Sequence, residues 1–529
     1  MRVRNSVRNI AFGVGSQLVS AGMGFAARTA FVATLGMELL GVDGLFTSVL
    51  MLLSLANLGF DTAIVYSLYK PLAERDERKI EAYMTLFRNA YRIVGAVVFV
   101  LGLALLPFLP ALIRGGTTVE HLHWIYLLFL VQSASSYYFV YKQSVLIADQ
   151  KAHVISKIHT VFTIVSNGLQ IALLLVWGQY LVVLAAQIAI RVAENVYIAR
   201  RAEREYPFLR HMRGAKLSAD ERKTFFENVY SLLLYRISGV VIHGTDNVVI
   251  SKFVGLVAVG VYSNYLLVLS TVNMFLGYVF HSVTASVGHL HASESAEKQH
   301  QVFRVLLFAN FWAYGCAAIA LWHGLNPFLT AWLGNGHTFG ALAVFAIVAN
   351  FLTGGMQNAA TAFRETTGLF KKGKYRPLIA AAINLAVSVA LAPTLGVAGV
   401  LLGTVVSRLC TYFWFDPYIV YKHVFARPTG AYFAAYARYM ALIAAAGAAS
   451  AGAVALASAG LASAYGGAPP AALDLALRLA LGVAVPNALF YAACRRTAEF
   501  AYVRAVAASL AANAVAVVRG RKRALTRSL

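Results

Sequence analysis

The sequence predicts an all-α, polytopic membrane protein with about 14 transmembrane helices. Of its 529 residues, 59% are hydrophobic and only 13% are charged, and the mean hydropathy is +0.67. Apolar stretches of about 20 residues, the length that crosses a hydrocarbon core, follow one another along the chain with short basic breaks between them. A soluble domain with a single core does not have this composition.

Fourteen apolar stretches carry this prediction. The first follows a basic N-terminus and continues through Phe31 without a cleavage site, so we interpret it as a membrane helix rather than a signal peptide. The predicted helices, numbered 1 to 14 in chain order, cover residues 9–35, 40–69, 90–112, 122–147, 153–177, 179–199, 226–252, 256–288, 302–322, 338–363, 376–394, 396–421, 435–462 and 472–493.

The placement of the basic residues predicts the orientation of the chain. Lys and Arg outnumber Asp and Glu by 45 to 22, for a formal charge of +23. In a soluble protein this excess would indicate a nucleic-acid partner. Here the basic residues concentrate in alternate loops, and only Arg114 lies clearly in an outside loop. This asymmetry predicts cytoplasmic N- and C-termini and no nucleic-acid partner.

An internal repeat predicts two related lobes. Gly36, Gly41, Val42 and Leu50 recur as Gly255, Gly260, Val261 and Leu269, and Asn167 and Arg191 recur as Asn384 and Arg408. Two sets of matches at nearly the same offset favour two parallel six-helix lobes related by an axis along the membrane normal. Predicted helices 13 and 14 are then an addition to the repeat.

A polar break at 200–225 separates the lobes. We predict an N-terminal lobe at 1–215, a C-terminal lobe at 216–430, two extra helices at 431–495 and a basic cytoplasmic tail at 496–529. The apolar part of the tail is too short to span a membrane. It is either a helix on the cytoplasmic leaflet or a frayed end.

Three predicted helices carry polar residues at helical spacing, a pattern typical of helices that line a cavity. These residues are Gln17, Ser20, Gly24 and Arg28 on helix 1, Ser54, Asn57 and Asp61 on helix 2, and Arg236, His243, Asp246 and Asn247 on helix 7. We expect them to frame one polar cavity.

The intramembrane arginines have two interpretations each. Arg28 either holds a phosphate through its planar guanidinium or forms a structural ion pair with Asp61. Arg191 has Glu194 three residues later, which predicts an ion pair within the helix. Arg408 has no acid at that spacing, so it either faces the cavity or stabilises its lobe.

Asp246 and Asn247 combine a titratable carboxylate with amide oxygen, which suits a coupling proton or Na⁺. The alternative is that Asp246 forms an ion pair with Arg28 or Arg236.

The sequence does not contain the motifs that several kinds of chemistry require. There is no GxxxxGK[ST] motif for an ATPase. The three cysteines lie far apart and no histidines cluster, so we expect no disulfide, metal or other cofactor. The longest outside loop, 322–339, has no Asp or Glu, and the other outside acids, Glu38, Asp43, Glu120 and Asp474, are not paired. We therefore expect no catalysis and no enzyme.

The segment 5–80, which includes LGMELLGVDGLFTSVL, resembles polysaccharide biosynthesis flippases of the multidrug, oligosaccharidyl-lipid and polysaccharide exporter superfamily. So does TDNVVIS at 245–251 with the VGLVAVGVYSNY that follows it. The resemblance extends over most of the chain. It implies a bacterial cytoplasmic-membrane flippase that moves a polyprenyl-diphosphate-linked oligosaccharide to the outer leaflet by alternating access, for cell-surface polysaccharide synthesis.

The resemblance also implies cationic residues in a central cavity. We expect substrate contacts from Arg28, Arg236, Arg408, Asn57 and Gln17, and ion coupling from Asp246, Asn247 and Asp61. The expected partners are the lipid-linked glycan, membrane lipids, H⁺ or Na⁺, and the glycosyltransferases or polymerase of the same pathway.

Three alternative functions are compatible with a polytopic membrane protein. A drug or metabolite antiporter of the same superfamily should expose acidic residues to organic cations, and the basic cavity argues against it. A membrane glycosyltransferase would need paired carboxylates on the outside, and this chain does not have them. A scaffold that transports nothing does not need polar stripes inside its helices.

Overall fold

Helices are the regular structure of the computed structural model, which describes residues 2–54, 60–210, 212, 214–367, 369, 373, 375–506 and 508. Side chains are described there except at 2–14, 16, 228, 231, 232, 234–236, 238, 243, 278, 279 and 281–293. The helices are α1 (Arg2–Leu53), α2 (Phe60–Glu74), α3 (Glu77–Leu105), α4 (Leu122–Val140), α5 (Gln143–Ala148), α6 (Ala152–Trp177), α7 (Tyr180–Glu205), α8 (Ala219–Phe253), α9 (Leu256–Ser293), α10 (Ala296–Leu333), α11 (Ala341–Met356), α12 (Asn358–Thr366), α13 (Arg376–Leu395), α14 (Val397–Cys410), α15 (Tyr412–Val420), α16 (Gly430–Tyr465) and α17 (Ala471–Cys494).

Within the described residues, eleven helical segments are long and apolar enough to cross a membrane, which confirms the all-α polytopic class. Predicted helix 1 and the start of helix 2 fall in one continuous segment, Gln17–Leu53. Predicted helix 4 falls on α4, whose apolar run is interrupted by Gln132, Ser133 and Ser136. Predicted helix 7 falls on α8, where many side chains lie outside the description. These three places account for the difference from fourteen.

The chain divides into two compact units. The N-terminal unit comprises Val14–Asn264 and Lys374–Thr404, and the C-terminal unit comprises Met1–Gly13, Tyr265–Gly373 and Val405–Leu529. In the N-terminal unit, α3 and α7 both pack on α4, α6 packs on α7, and α13 packs along α8. The lobe boundaries at 215 and 430 stay a prediction.

The repeat is visible in the backbone of the N-terminal unit. Gly36 interrupts α1 with φ 79° and ψ 179°, and its repeat partner Gly255 separates α8 from α9 with φ 128°. Both conformations favour glycine because a side chain there would be strained. The break at Gly36 separates predicted helices 1 and 2, as the sequence indicates.

Gly41 and Gly260 bring the two helices that follow these breaks into close contact. A Cβ atom on Gly41 would lie 1.9 Å from the carbonyl oxygen of Leu256, and one on Gly260 would lie 2.1 Å from that of Met37. Met37 and Leu256 are themselves partners in the repeat. The crossing is therefore symmetric, and only residues without a side chain allow it.

In the C-terminal unit, α16 and α17 pack on α10. Phe311 of α10 stacks on Tyr439 with centroids 4.4 Å apart, and Trp312 Nε1 donates to Asn487 Oδ1 at 2.7 Å. Gly482 of α17 approaches the backbone of Ala320. Predicted helices 13 and 14 are thus present as α16 and α17.

Candidate functional site

Arg28 and Asp43 lie within electrostatic range of each other on opposite sides of the Gly36 break. The Tyr180 hydroxyl, at the start of α7, donates to Asp43 Oδ1 at 2.9 Å, and Phe31 packs edge-on against the Tyr180 ring. Nη1 of Arg28 is buried without a hydrogen-bond partner among the described residues. The cluster therefore presents a cationic donor whose hydrogen bonding is incomplete.

The structure gives Arg28 a different acidic neighbour from the one in the ion-pair alternative. Sequence analysis offered Asp61 as its ion-pair partner and assigned Asp43 to the outside surface. Instead, Asp43 is the acid that acts on Arg28, while Tyr91 donates its hydroxyl to Asp61 Oδ1. The physical reason is the Gly36 break, because Arg28 and Asp43 lie at nearly equal distances along the chain before and after it.

Asp246 and Asn247 are buried on α8, with exposed fractions of 5% and 8%. Asn247 Nδ2 donates to Ser48 Oγ at 3.0 Å and to the carbonyl of Gly44 at 3.3 Å, both on α1. These bonds fix the amide and leave its oxygen Oδ1 buried without a donor among the described groups. Tyr262 of α9 lies within electrostatic range of Asp246.

A second buried polar group lies on α13 and α14. Asn384, which is fully buried, donates through Nδ2 to Thr404 Oγ1 at 2.9 Å, and Ser388 donates to the carbonyl of Val400 at 2.9 Å. Asn384 Oδ1 has no donor among the described groups. Sequence analysis identified Asn384 only through the repeat. Its spacing from Ser388, one helical turn, was a further signal.

The remaining predicted site residues in the N-terminal unit are described only in part. Gln17 lies on α1 with a partly buried side chain, upstream of Arg28 on the same helical face. Arg236 lies on α8, but its side chain is outside the description, and Asn57 is outside the described residues altogether. Their roles stay predictions.

Arg408 lies in the C-terminal unit, where it joins α14 to α11. Its Nη1 donates to the carbonyl and to Oδ1 of Asn350, both at 2.7 Å, and to Thr353 Oγ1 at 3.0 Å. Gly354 leaves room for the guanidinium, because a Cβ there would lie 3.2 Å from Nη1. These contacts favour the stabilising interpretation of Arg408.

Arg191 and Glu194 form the predicted ion pair within α7, with Nη1 donating to Glu194 Oε2 at 3.0 Å. The other carboxylate oxygen, Oε1, shares a hydrogen bond of 2.7 Å with Nδ1 of His159 on α6. Sequence analysis missed His159, because nothing in the chain order places α6 beside this face of α7. Both oxygens of a nearly buried carboxylate thus have cationic or titratable partners.

An open cavity of about 420 Å³ with a mixed polar and apolar lining lies beside this triad. It is lined by Thr47, Leu50, Phe129, Gln132, Ser133, Ser136, Val140, Gln143, Ile155, His159, Arg191, Glu194, Asn195 and Ile198, all in the N-terminal unit. Sequence analysis did not predict it, because its residues come from several helices and the α4 contribution was not recognised.

No protein-family model and no curated protein sequence matches the chain. Solved structures do. The lipid II flippase MurJ, in an inward closed conformation, superposes with a TM-score of 0.63 at 14% identity, over 92% of this chain and 100% of that one. An inward-facing multidrug resistance MATE family transporter of the MOP superfamily superposes with a TM-score of 0.56 at 16% identity, over 74% of this chain and 93% of that one.

The chain shares its fold with the flippase MurJ and with MATE transporters. A MATE transporter from Vibrio cholerae also superposes, with a TM-score of 0.50 at 11% identity, over 81% of this chain and all of that one. At such identities the likeness establishes the fold alone. The predicted fold is confirmed, and it agrees with the superfamily that the sequence resembles.

Proposed function

We propose that the protein is a flippase that moves a polyprenyl-diphosphate-linked oligosaccharide from the cytoplasmic to the outer leaflet by alternating access. The observation that carries the proposal is Arg28, a membrane-embedded guanidinium with a buried Nη1 that lacks a hydrogen-bond partner among the described residues. A guanidinium is suited to two parallel hydrogen bonds with phosphate oxygens. It is a poor ligand for an organic cation.

Asp43 explains how such an arginine is tolerated when no substrate is bound. An isolated charge in a low-dielectric environment is costly, and the nearby carboxylate offsets part of that cost. Tyr180 fixes the carboxylate from α7. A diphosphate arriving at Arg28 would supply the missing acceptor, so the cluster binds an anion without large rearrangement.

The chemistry of transport then requires no covalent step. A diphosphate does not cross hydrocarbon unaided, whereas the polyprenyl chain can stay in the lipid while the head group passes through a polar interior. The Gly41 and Gly260 crossing joins α1 to α9 within the N-terminal unit, and we propose that it opens and closes during alternating access. For transport it is sufficient that the protein binds the head group and changes the side of the membrane to which its binding site opens.

Ion coupling is assigned to Asp246. Its carboxylate is buried beside Asn247, whose free Oδ1 is a suitable oxygen ligand. Binding of Na⁺ at Asp246, or protonation of its carboxylate, would neutralise its buried charge.

The drug or metabolite antiporter is the second candidate, because the superfamily fold includes MATE transporters. An antiporter for organic cations needs an accessible carboxylate. The best placed one, Glu194, is engaged by Arg191 and His159. A scaffold without transport activity gives no role to an incompletely bonded Arg28.

Cellular location follows from the same proposal. We place the protein in the bacterial cytoplasmic membrane with both termini in the cytoplasm, beside the glycosyltransferases or polymerase that make and consume the lipid-linked glycan. The positive-inside distribution of Lys and Arg supports this orientation.

Flipping of a fluorescent polyprenyl-diphosphate oligosaccharide in proteoliposomes tests the proposal. We expect the wild type to flip it and Arg28→Ala to lose at least about tenfold in rate, since a charged hydrogen bond contributes roughly 1.5–3 kcal/mol. Arg478→Ala is the matched control, because Arg478 is also intramembrane but pairs with Asp474 in its own helix at 2.6 Å. A wild type that flips no glycan lipid contradicts the proposal.

A further inference from the structure

The cavity lined by α4, α5, α6, α7 and the second half of α1 combines amides, hydroxyls and an apolar wall, which is the composition of a carbohydrate site. We propose that it holds a sugar residue of the head group, as a subsite for an uncharged, hydroxyl-rich ring. This inference rests on the proposed flippase function and goes beyond it, because it assigns sugar recognition to residues away from Arg28.

The charge balance of the cavity favours a neutral ligand. Glu194 has an exposed side-chain fraction of only 7%, and its two oxygens bond Arg191 and His159. Arg191 therefore compensates the charge of the carboxylate and His159 occupies its other oxygen, so the group offers little to a cation. An organic cation would have to displace one of them, whereas a sugar hydroxyl can add to the triad without doing so.

The hydrogen-bonding groups of the cavity are incomplete. Asn195 is 9% exposed, and its Nδ2 is buried without an acceptor among the described residues. Buried polar groups in native proteins are nearly always hydrogen-bonded, so this donor indicates a missing partner. Gln132 and Gln143 add further amides, and Ser133 and Thr47 add hydroxyls. Amides and hydroxyls both donate and accept, as sugar hydroxyls do.

The size of the cavity also fits. Its volume of about 420 Å³ lies within the range of roughly 300–1,000 Å³ that small-molecule sites occupy. Phe129 and Leu50 supply an apolar wall for the carbon face of a ring. One or two sugar residues would fill such a site.

The cavity is connected to the Arg28 cluster through two helices. Thr47 follows Asp43 by one helical turn on α1, so the two lie on the same face. On α7, Tyr180 and Arg191 share a face about 16 Å apart at 1.5 Å per residue. A head group with its diphosphate at Arg28 could therefore place its sugars in the cavity.

The test compares two cargoes in proteoliposomes: a fluorescent polyprenyl diphosphate bearing a disaccharide, and the same lipid without sugar. Asn195→Leu replaces the amide with an apolar side chain of similar size. We expect it to slow flipping of the disaccharide lipid at least about fivefold, the effect of one lost hydrogen bond, and to change flipping of the sugar-free lipid less than about twofold. Gln132→Leu on α4 should show the same selectivity.

Thr160→Val is the control, because the Thr160 hydroxyl bonds its own helix at the carbonyl of Ser156 and does not line the cavity. Only variants that melt at the wild-type temperature are compared. An equal loss for both lipids, or no loss for either, overturns the sugar subsite while leaving the flippase intact. A wild type that moves neither lipid overturns the proposed function and the subsite with it.

Discussion

Gly41 and Gly260 occupy equivalent positions of the internal repeat, and each places its bare Cα against a backbone carbonyl of the other's helix. The carbonyls belong to Leu256 and Met37, which are also equivalent. A contact built from backbone atoms has no side chain that could move aside. The two helices therefore either meet at these glycines or separate.

Alanine at either glycine should disfavour the contact. A Cβ atom about 2 Å from a carbonyl oxygen cannot be accommodated, so Gly41→Ala and Gly260→Ala should lower the melting temperature and slow flipping at least about tenfold. Gly22→Ala is the matched control, because a Cβ there meets no described atom within 4 Å. It should leave transport unchanged and stabilise α1 by up to about 1 kcal/mol. Transport by Gly41→Ala at the control rate would contradict the role of the crossing.

Lysine at position 28 should show whether substrate binding depends on the positive charge alone or also on the planar shape of the guanidinium. Arg28→Lys keeps the positive charge but loses the planar fork that binds phosphate bidentately. We expect a flipping rate between the rates of wild type and Arg28→Ala. The half-saturating substrate concentration should rise about tenfold. Arg478→Lys, which alters a pair inside α17, is the control. Full activity of Arg28→Lys would mean that charge alone is needed there.

Asp246→Asn should uncouple transport from the ion gradient. The amide has nearly the same shape but carries no charge and does not titrate at neutral pH. The variant should still flip substrate down its own concentration gradient, while an imposed Na⁺ or proton gradient should no longer accelerate it. Flipping rates with and without each gradient measure this. A variant that still responds to the gradient as wild type does would exclude Asp246 as the coupling group.

The buried pair of Arg364 and Asp416 should dominate the stability of the C-terminal unit. Arg364 Nη1 donates to Asp416 Oδ1 at 2.9 Å, and both side chains are only 2% exposed. Arg364→Met removes a buried charged partner of Asp416, so it should cost roughly 3–5 kcal/mol, and the double variant Arg364→Met with Asp416→Leu should recover most of the loss. Thermal unfolding in detergent measures both.

An exposed pair provides the comparison. Lys70 and Glu74 are 3.8 Å apart, with side chains 81% and 52% exposed, so Lys70→Met should change stability by less than about 1 kcal/mol. If Arg364→Met were no more destabilised than Lys70→Met, the buried pair would not be the structural centre that its burial indicates.

Features with local causes could be predicted from the sequence. The apolar stretches fixed the helices, because each must satisfy its backbone within itself in a lipid environment. The repeat matched Gly36 with Gly255 and Gly41 with Gly260, and both pairs have matching geometry. The pair of Arg191 and Glu194 followed from helical spacing alone.

Features that depend on packing between helices could not be predicted. Asp43 was missed as the neighbour of Arg28 because the direction of the chain after Gly36 is not a local property. His159 and Asn195 meet only because α6 packs on α7, which places residues distant in sequence around one cavity. A single sequence gives no measure of such contacts.

Choice of cargo tests the central claim most directly. Purified protein in proteoliposomes should be given a polyprenyl-diphosphate oligosaccharide and, separately, an organic cation under an imposed Na⁺ or proton gradient. We predict flipping of the glycan lipid, measured by its accessibility to an added lectin, and no accumulation of the cation above protein-free vesicles. Transport of the cation without flipping of the glycan lipid would contradict the account and identify an antiporter.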